Sequence, residues 1–117
     1  PENFDDYGRS LAAGERVSNA AGPMSICDAI VTPTPGELTF AVNQPRLAGG
    51  VAVSEDEVRR AVRFAFETLK LVVEPGGAVA LASILSGKID CKGRTVAATL
   101  SGGNADAAVM SDILGSA

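Results

Sequence analysis

The sequence predicts an α/β fold in which short strands are covered by helices. Three observations predict it. A capped, amphipathic helix pattern begins at Ser54. A small and apolar helix pattern follows over Gly77–Leu85. A short apolar run, Thr95–Leu100, then passes through glycines into a terminal helix pattern. A strand without strict alternation suits burial on both faces. Helices ordered around such a strand make an α/β chain. At 117 residues the chain is read as a single structural unit with no second domain.

The first twenty residues are polar and irregular, with one short helix expected over Asp5–Ala13. Ala20-Ala21-Gly22-Pro23 punctuates the chain, and residues 24–31 form a compact apolar run. Thr32-Pro33-Thr34-Pro35-Gly36 cannot be regular, because each proline fixes its own φ and restricts its predecessor. Pro35 can instead open a short helix over Gly36–Asn43. Gly49-Gly50 leads to Val51-Ala52-Val53, expected as a very short strand.

Ser54-Glu55-Asp56-Glu57 is a capping box, with three acids suited to the helix dipole. Val58, Val62, Ala65, Leu69 and Val72 recur at helical steps. Glu55 and Arg59 stand four apart in the favourable order. Pro75 is expected to close this helix near Val73–Glu74. Gly77–Leu85 is apolar on every side and so is expected to be buried. Gly87 is its expected stop. Lys88–Arg94 reads as a loop, Thr95–Leu100 as a covered strand, and Ala105–Leu114 as the last helix.

Composition narrows the function classes. Hydrophobic residues are 46% and charged residues 21%, the mix of an ordinary globular protein. Net charge is −4 with a pI near 4.7 and no basic cluster, which argues against a nucleic-acid surface. There is no apolar run of membrane-spanning length and no visible signal peptide, so neither a membrane nor a secretory role is expected. Histidine is absent, which excludes Ser-His-Asp and Cys-His catalysis and His-ligated zinc. Cys27 and Cys91 form no CxxC pattern; one disulfide between them is the alternative, and two buried cytosolic thiols are the expectation. The chain opens on Pro1 rather than Met, which suggests a fragment.

Three segments could carry chemistry. Ser101-Gly102-Gly103-Asn104 sits at the carboxyl end of an expected covered strand, where α/β sheets bind ligands. Its bland alternative is a tight turn with Asn104 as N-cap. Glu74-Pro75-Gly76-Gly77 places a carboxylate between two helices, either as a site residue or as a cap of the second helix. Asp5-Asp6 is either part of a cation site or a solvated acidic turn. Lys70, Lys88 and Lys92 have no apolar setting that would lower an amine pKa.

Val73–Ala82 and Leu100–Asp106 together resemble the carboxyl-terminal part of the threonine/serine dehydratase and serine racemase family. These are pyridoxal-phosphate enzymes of the tryptophan-synthase-β-like fold, fold type II. Asp28-Ala29-Ile30, Pro35–Phe40 and Val53–Glu57 fit the same family in the same order. The resemblance covers nearly the whole chain. It implies the carboxyl-terminal portion of a catalytic large domain, with short parallel strands covered by helices.

It also implies a parent enzyme that converts L-threonine or L-serine to a 2-oxo acid and ammonium. Serine racemase is the alternative, and a stand-alone oligomerisation or ligand-binding module is the rival of another class. The family's Schiff-base lysine and phosphate loop have no match here, which implies that both lie upstream and that the isolated chain is inactive. By the same resemblance Ser101 hydrogen-bonds the pyridine nitrogen of the cofactor, with Gly102 beside it. Glu74 lies near the ring, and the backbone at Ala29 lies beside it, although the family often has Gly there. Many members bind a divalent cation. The matching ligands are the Phe4 carbonyl and Asp6, with a Glu that would precede Pro1, so Mg²⁺ or Ca²⁺ should bind poorly. A small amino acid is the expected substrate, a second copy of the chain the expected partner in a dimer, and the cytoplasm the expected location.

Overall fold

Each helix begins where the chain supplies a start signal. The computed structural model describes residues 1–116. After a single 3₁₀ turn at Glu2–Phe4, helix α1 spans Asp6–Ala13. Gly14 ends it at φ 76°, a left-handed conformation that suits glycine, and its N–H bonds the Ser10 carbonyl. Ser10 is buried, and its hydroxyl accepts the Val17 N–H at 2.9 Å, folding the chain back on α1. Helix α2, Glu37–Asn43, starts from Gly36 just after Pro35. It buries Phe40, whose ring meets Tyr7 of α1 edge-on at 6.0 Å.

Helix α3, Glu55–Phe64, opens with the full capping box. Ser54 Oγ accepts the Glu57 N–H at 3.2 Å, and Glu57 accepts the Ser54 N–H at 2.7 Å. The helix continues through a π turn at Ala65–Leu69 and stops at Lys70, whose φ is 62°. Its end therefore falls before the expected Val73–Glu74. Val58, Val62 and Ala65 are buried, whereas Leu69 and Val72 are exposed. The π turn widens the last turn and swings the stripe off the core.

Helix α4 is Pro75–Leu85, with Pro75 in its first turn. Gly87 stops it at φ 74°. It is not buried all round. Its first turn, Ala82 and Ser83 are buried, but Leu85 is exposed. Helix α5 is Ala107–Gly115, two residues later than expected, because Asp106 rather than Asn104 supplies the cap. Asp106 Oδ1 accepts the Ala108 and Val109 N–H groups at 2.8 and 3.1 Å.

The expected strands are absent: there is no strand among the described residues. Val51–Val53 and Thr95–Leu100 take no regular structure: among the described residues the Val53 carbonyl accepts only the Glu2 N–H, at 3.0 Å, and residues 95–99 are exposed rather than covered. Extended backbone becomes a strand only when a neighbouring strand takes its N–H and C=O groups. These two segments do not pair with each other. The apolar run at 24–31 is likewise irregular, with only a 3₁₀ turn at Asp28–Ile30, and Met24 is 86% exposed.

The core lies between α3 and α4, with Ile113 of α5 and Cys27 closing it. Its residues are small: Cys27, Val53, Val58, Ala61, Val62, Ala65, Val73, Ala78, Ala82 and Ile113. The result is a slab of 40 × 40 × 20 Å.

Candidate functional site

The start of α4 is where three separated sequence segments meet. Glu74 occupies the cap position, but its side chain makes no capping hydrogen bond. The capping alternative for Glu74 therefore does not hold. Its backbone N–H instead donates to the Gly102 carbonyl at 3.1 Å. Its carboxylate lies against Gly102, so closely that a methyl group on Gly102 would fall 2.0 Å from Oε1. Gly102 also has a φ of 78°, which an L side chain rarely adopts.

Gly77 shows the same tightness from the helix side. A methyl group there would fall 1.6 Å from the Ser101 carbonyl oxygen. The loop thus sits directly on the first turn of α4, and only glycine permits it. Gly76 faces the 3₁₀ turn, with the Ala29 Cβ 3.4 Å from where its own Cβ would be. Ser101, Gly102, Glu74 and Ala29 are in this way brought around one helix start. Ser101 to Asn104 are exposed, as is Ala29, and Glu74 is half-buried.

The other charged candidates are engaged elsewhere. Asp5 pairs with Arg9 at 2.7 Å, and the buried Asp6 accepts from Asn19 Nδ2 at 2.7 Å. Asn19 in turn donates to the Thr32 carbonyl. The acidic turn is therefore not simply solvated: Asp6 ties α1 to the Asn19–Thr32 region. No cluster of three or more His, Cys, Asp or Glu residues suited to a metal occurs among the described residues. Lys70 Nζ donates to the Glu67 carbonyl. Lys88 donates to Glu57 and to the Ala52 carbonyl, both at 2.7 Å, from beyond the far end of α4. Eleven helical residues, about 16 Å, separate that end from Glu74.

Electrostatics follow this arrangement. The Lys88 ammonium and the Ser54 N–H hold the Glu57 carboxyl below its ordinary value. Burial pushes the Cys27 thiol up. Both cysteines are free, as expected, but Cys91 is only half-buried. The expected Glu55–Arg59 pair does not form. Glu55 instead accepts the Ser25 hydroxyl at 2.5 Å and the Ile26 N–H at 3.1 Å, while Arg59 pairs with Asp112 at 2.5 Å. Sequence reasoning missed the steric role of Gly77. Two glycines opening a helix cost helix stability, so their presence was the available signal of a close approach.

Residues 1–102 match the family of pyridoxal-phosphate dependent enzymes. The chain is 37% identical over 113 residues to the L-threonine ammonia-lyase of Thermotoga maritima, covering 97% of this chain and 28% of that protein. It is 37% identical over 117 residues to the serine racemase of Dictyostelium discoideum, covering 97% of this chain and 36% of the relative. The structure superposes on the crystal structure of a threonine deaminase from T.th. with a TM-score of 0.82 and 40% identity, over 91% of this chain and 35% of that one. The chain thus spans about a third of the length of these relatives. Among the described residues no helix is long and apolar enough to cross a membrane. With the family model covering most of the chain and relatives of more than 30% identity covering nearly all of it, this chain belongs to the pyridoxal-phosphate-dependent enzyme family.

Proposed function

We propose that the complete polypeptide is a pyridoxal-phosphate-dependent ammonia-lyase that removes water and then ammonia from a small hydroxy amino acid, L-threonine or L-serine. The observation that carries this reading is the meeting of Ser101, Gly102, Glu74 and Ala29 at the start of α4. Family membership supports it, as do relatives described as threonine ammonia-lyase and serine racemase.

The residues fit the group. Gly77 and Gly102 have no side chains, so the Ser101 carbonyl seats on the first turn of α4 and the Glu74 carboxylate lies against Gly102, bringing a serine and a carboxylate to one place. Pyridoxal phosphate, when bound, supplies an electron-withdrawing ring that stabilises charge at the substrate α-carbon. Ser101 would hold the ring nitrogen by one neutral hydrogen bond. A hydroxyl does not enforce protonation of that nitrogen as a carboxylate would. The weaker electron withdrawal suits loss of a β-hydroxyl. Glu74, fixed by its own N–H on Gly102, would flank the ring without pairing to it. We infer that the Schiff-base lysine lies outside this chain: Lys70 is held by the Glu67 carbonyl, Lys88 by Glu57 and the Ala52 carbonyl, and Lys92 stands in an exposed turn away from Glu74 and Ser101 in sequence. A metal does not fit: Asp6 is already bound by Asn19, and one carboxylate with the Phe4 carbonyl is a poor ligand set for Mg²⁺ or Ca²⁺.

The test uses the complete polypeptide. Ser101→Ala should fold normally and lower 2-oxo acid formation from L-threonine and L-serine by about one to three orders of magnitude. Unchanged turnover would make Ser101 a turn residue only. Formation of D-serine at a comparable rate would favour the racemase reading. The 117-residue chain alone should yield no stoichiometric borohydride-trapped adduct with pyridoxal phosphate, and such an adduct would sink the upstream lysine.

We also propose that the isolated chain self-associates. Its surface is 7187 Å², against about 5,900 Å² for a compact monomer of this mass. Phe66, Leu69, Leu71, Val72, Leu85 and Val96 are all exposed. Light scattering at micromolar concentration should report a dimer or larger, and a monomer would refute the idea.

A further inference from the structure

We propose that Arg59 and Arg63 of α3 are positioning residues for the Ser101 loop, acting through α5; this rests on the reading that Ser101 faces the cofactor. The loop has little of its own to hold it. Among the described residues, residues 101–105 make one backbone hydrogen bond, from the Glu74 N–H to the Gly102 carbonyl. They have no regular structure, and Ser101 to Asn104 are exposed. The loop is therefore placed by its seat on the first turn of α4 and by what its ends are fastened to. Its front end follows Leu100, which packs against the core. Its rear end is Asp106, the cap of α5.

Helix α5 has nine residues, too few to be stable alone. It is fastened to α3 at three points. Ile113 is fully buried in the core. The Arg59 guanidinium meets Asp112 at 2.5 Å. The Arg63 guanidinium donates to the carbonyls of Ile113 and Ser116, at the end of α5 where the dipole is negative. Arg59 and Arg63 are four apart and so share one face of α3. The neighbouring face of α3 packs on α4, whose start carries Glu74 and Gly77. One helix thus sets both walls of the site: α4 directly, and the loop through α5. At Gly77 a methyl group has no room, so a small shift of α5 changes how the Ser101 carbonyl seats on α4.

The experiment uses the complete polypeptide with pyridoxal phosphate bound, and compares wild type with Arg63→Met, Arg63→Lys, Arg59→Asp, and the exchanged pair Arg59→Asp with Asp112→Arg. Peptide-resolved amide hydrogen exchange is the first readout. Arg63→Met should accelerate exchange about tenfold at residues 101–109 while Glu55–Phe64 and Pro75–Leu85 keep wild-type rates. Turnover is the second readout, with kcat falling about tenfold and KM changing less than twofold. Arg63→Lys and the exchanged pair should recover most of both. Faster exchange confined to α5, or spread evenly over the whole protein, would overturn the proposal. If Ser101→Ala leaves turnover unchanged while Arg63→Met still loosens residues 101–105, the positioning stands and the cofactor reading falls.

Discussion

Two regions of this molecule carry equally clear patterns and meet opposite fates. Ser54–Ala65 forms the capped, amphipathic helix that its pattern describes, with Val58, Val62 and Ala65 buried. Thr95–Leu100 has a strand's composition but takes no regular structure, and all of it except Leu100 is exposed. The helix satisfies its backbone within itself, and its capping box closes two of the free N–H groups at its start. A strand satisfies nothing alone. Its hydrogen bonds belong to neighbours, and this chain presents none among the described residues. The difference separates what is locally self-sufficient from what needs a neighbouring strand.

The sharpest way to break the comparison is at Gly77, where local and tertiary arguments predict opposite signs. Helix propensity alone predicts that Gly77→Ala gains about 1 kcal/mol. The Ser101 carbonyl, 1.6 Å from the new methyl, demands displacement of the loop. We expect a loss of about 2–3 kcal/mol, the scale of overpacking, in the denaturant midpoint of the complete polypeptide. A gain would show that the loop is free to leave. Next in size is the capping box. Ser54→Ala should cost about 1 kcal/mol, mostly as faster unfolding of the α3 start. Because Lys88 and the Ser54 N–H lower the Glu57 pKa, its contribution is complete above the carboxyl's ordinary value of 4.5. It fades as pH drops through the depressed folded value. Thermal melts of wild type and Glu57→Gln should therefore converge in acid and separate toward neutral pH. Parallel curves would remove Lys88 from the account.

The smallest effect concerns the thiols. Burial raises the Cys27 pKa, so this thiol stays protonated and unreactive at neutral pH. Cys91, half-buried, should be labelled by a maleimide about tenfold faster. Equal rates would mean that the α3–α4 core opens as readily as the loop.

Much of the fold was legible along the chain. The α3 box, the glycine stop at Gly87 and the irregular Thr32–Gly36 segment stand in the structure, whereas Pro75, expected to close the preceding helix, instead opens α4. The site was legible as two motifs, Glu74-Pro75-Gly76-Gly77 and Ser101-Gly102-Gly103-Asn104, but not as one place. Ion-pair choice was misread: Glu55 and Arg59 have favourable spacing, yet each finds a partner far away in sequence. An exposed pair on one helix is worth only about 0.3–0.5 kcal/mol, so any better-placed tertiary partner displaces it.

By itself the sequence determined the capped start of α3, the Gly87 stop and the small-residue composition of α4, because those depend on groups within a few residues of each other. Only the tertiary structure decided that Gly77 must lack a side chain, that Asp106 rather than Asn104 caps α5, and that Arg63 holds the end of that helix. It alone also decided that Thr95–Leu100 forms no strand here. Each of those depends on atoms distant in sequence arriving within one contact distance, and a pattern of residue types carries no measure of that distance.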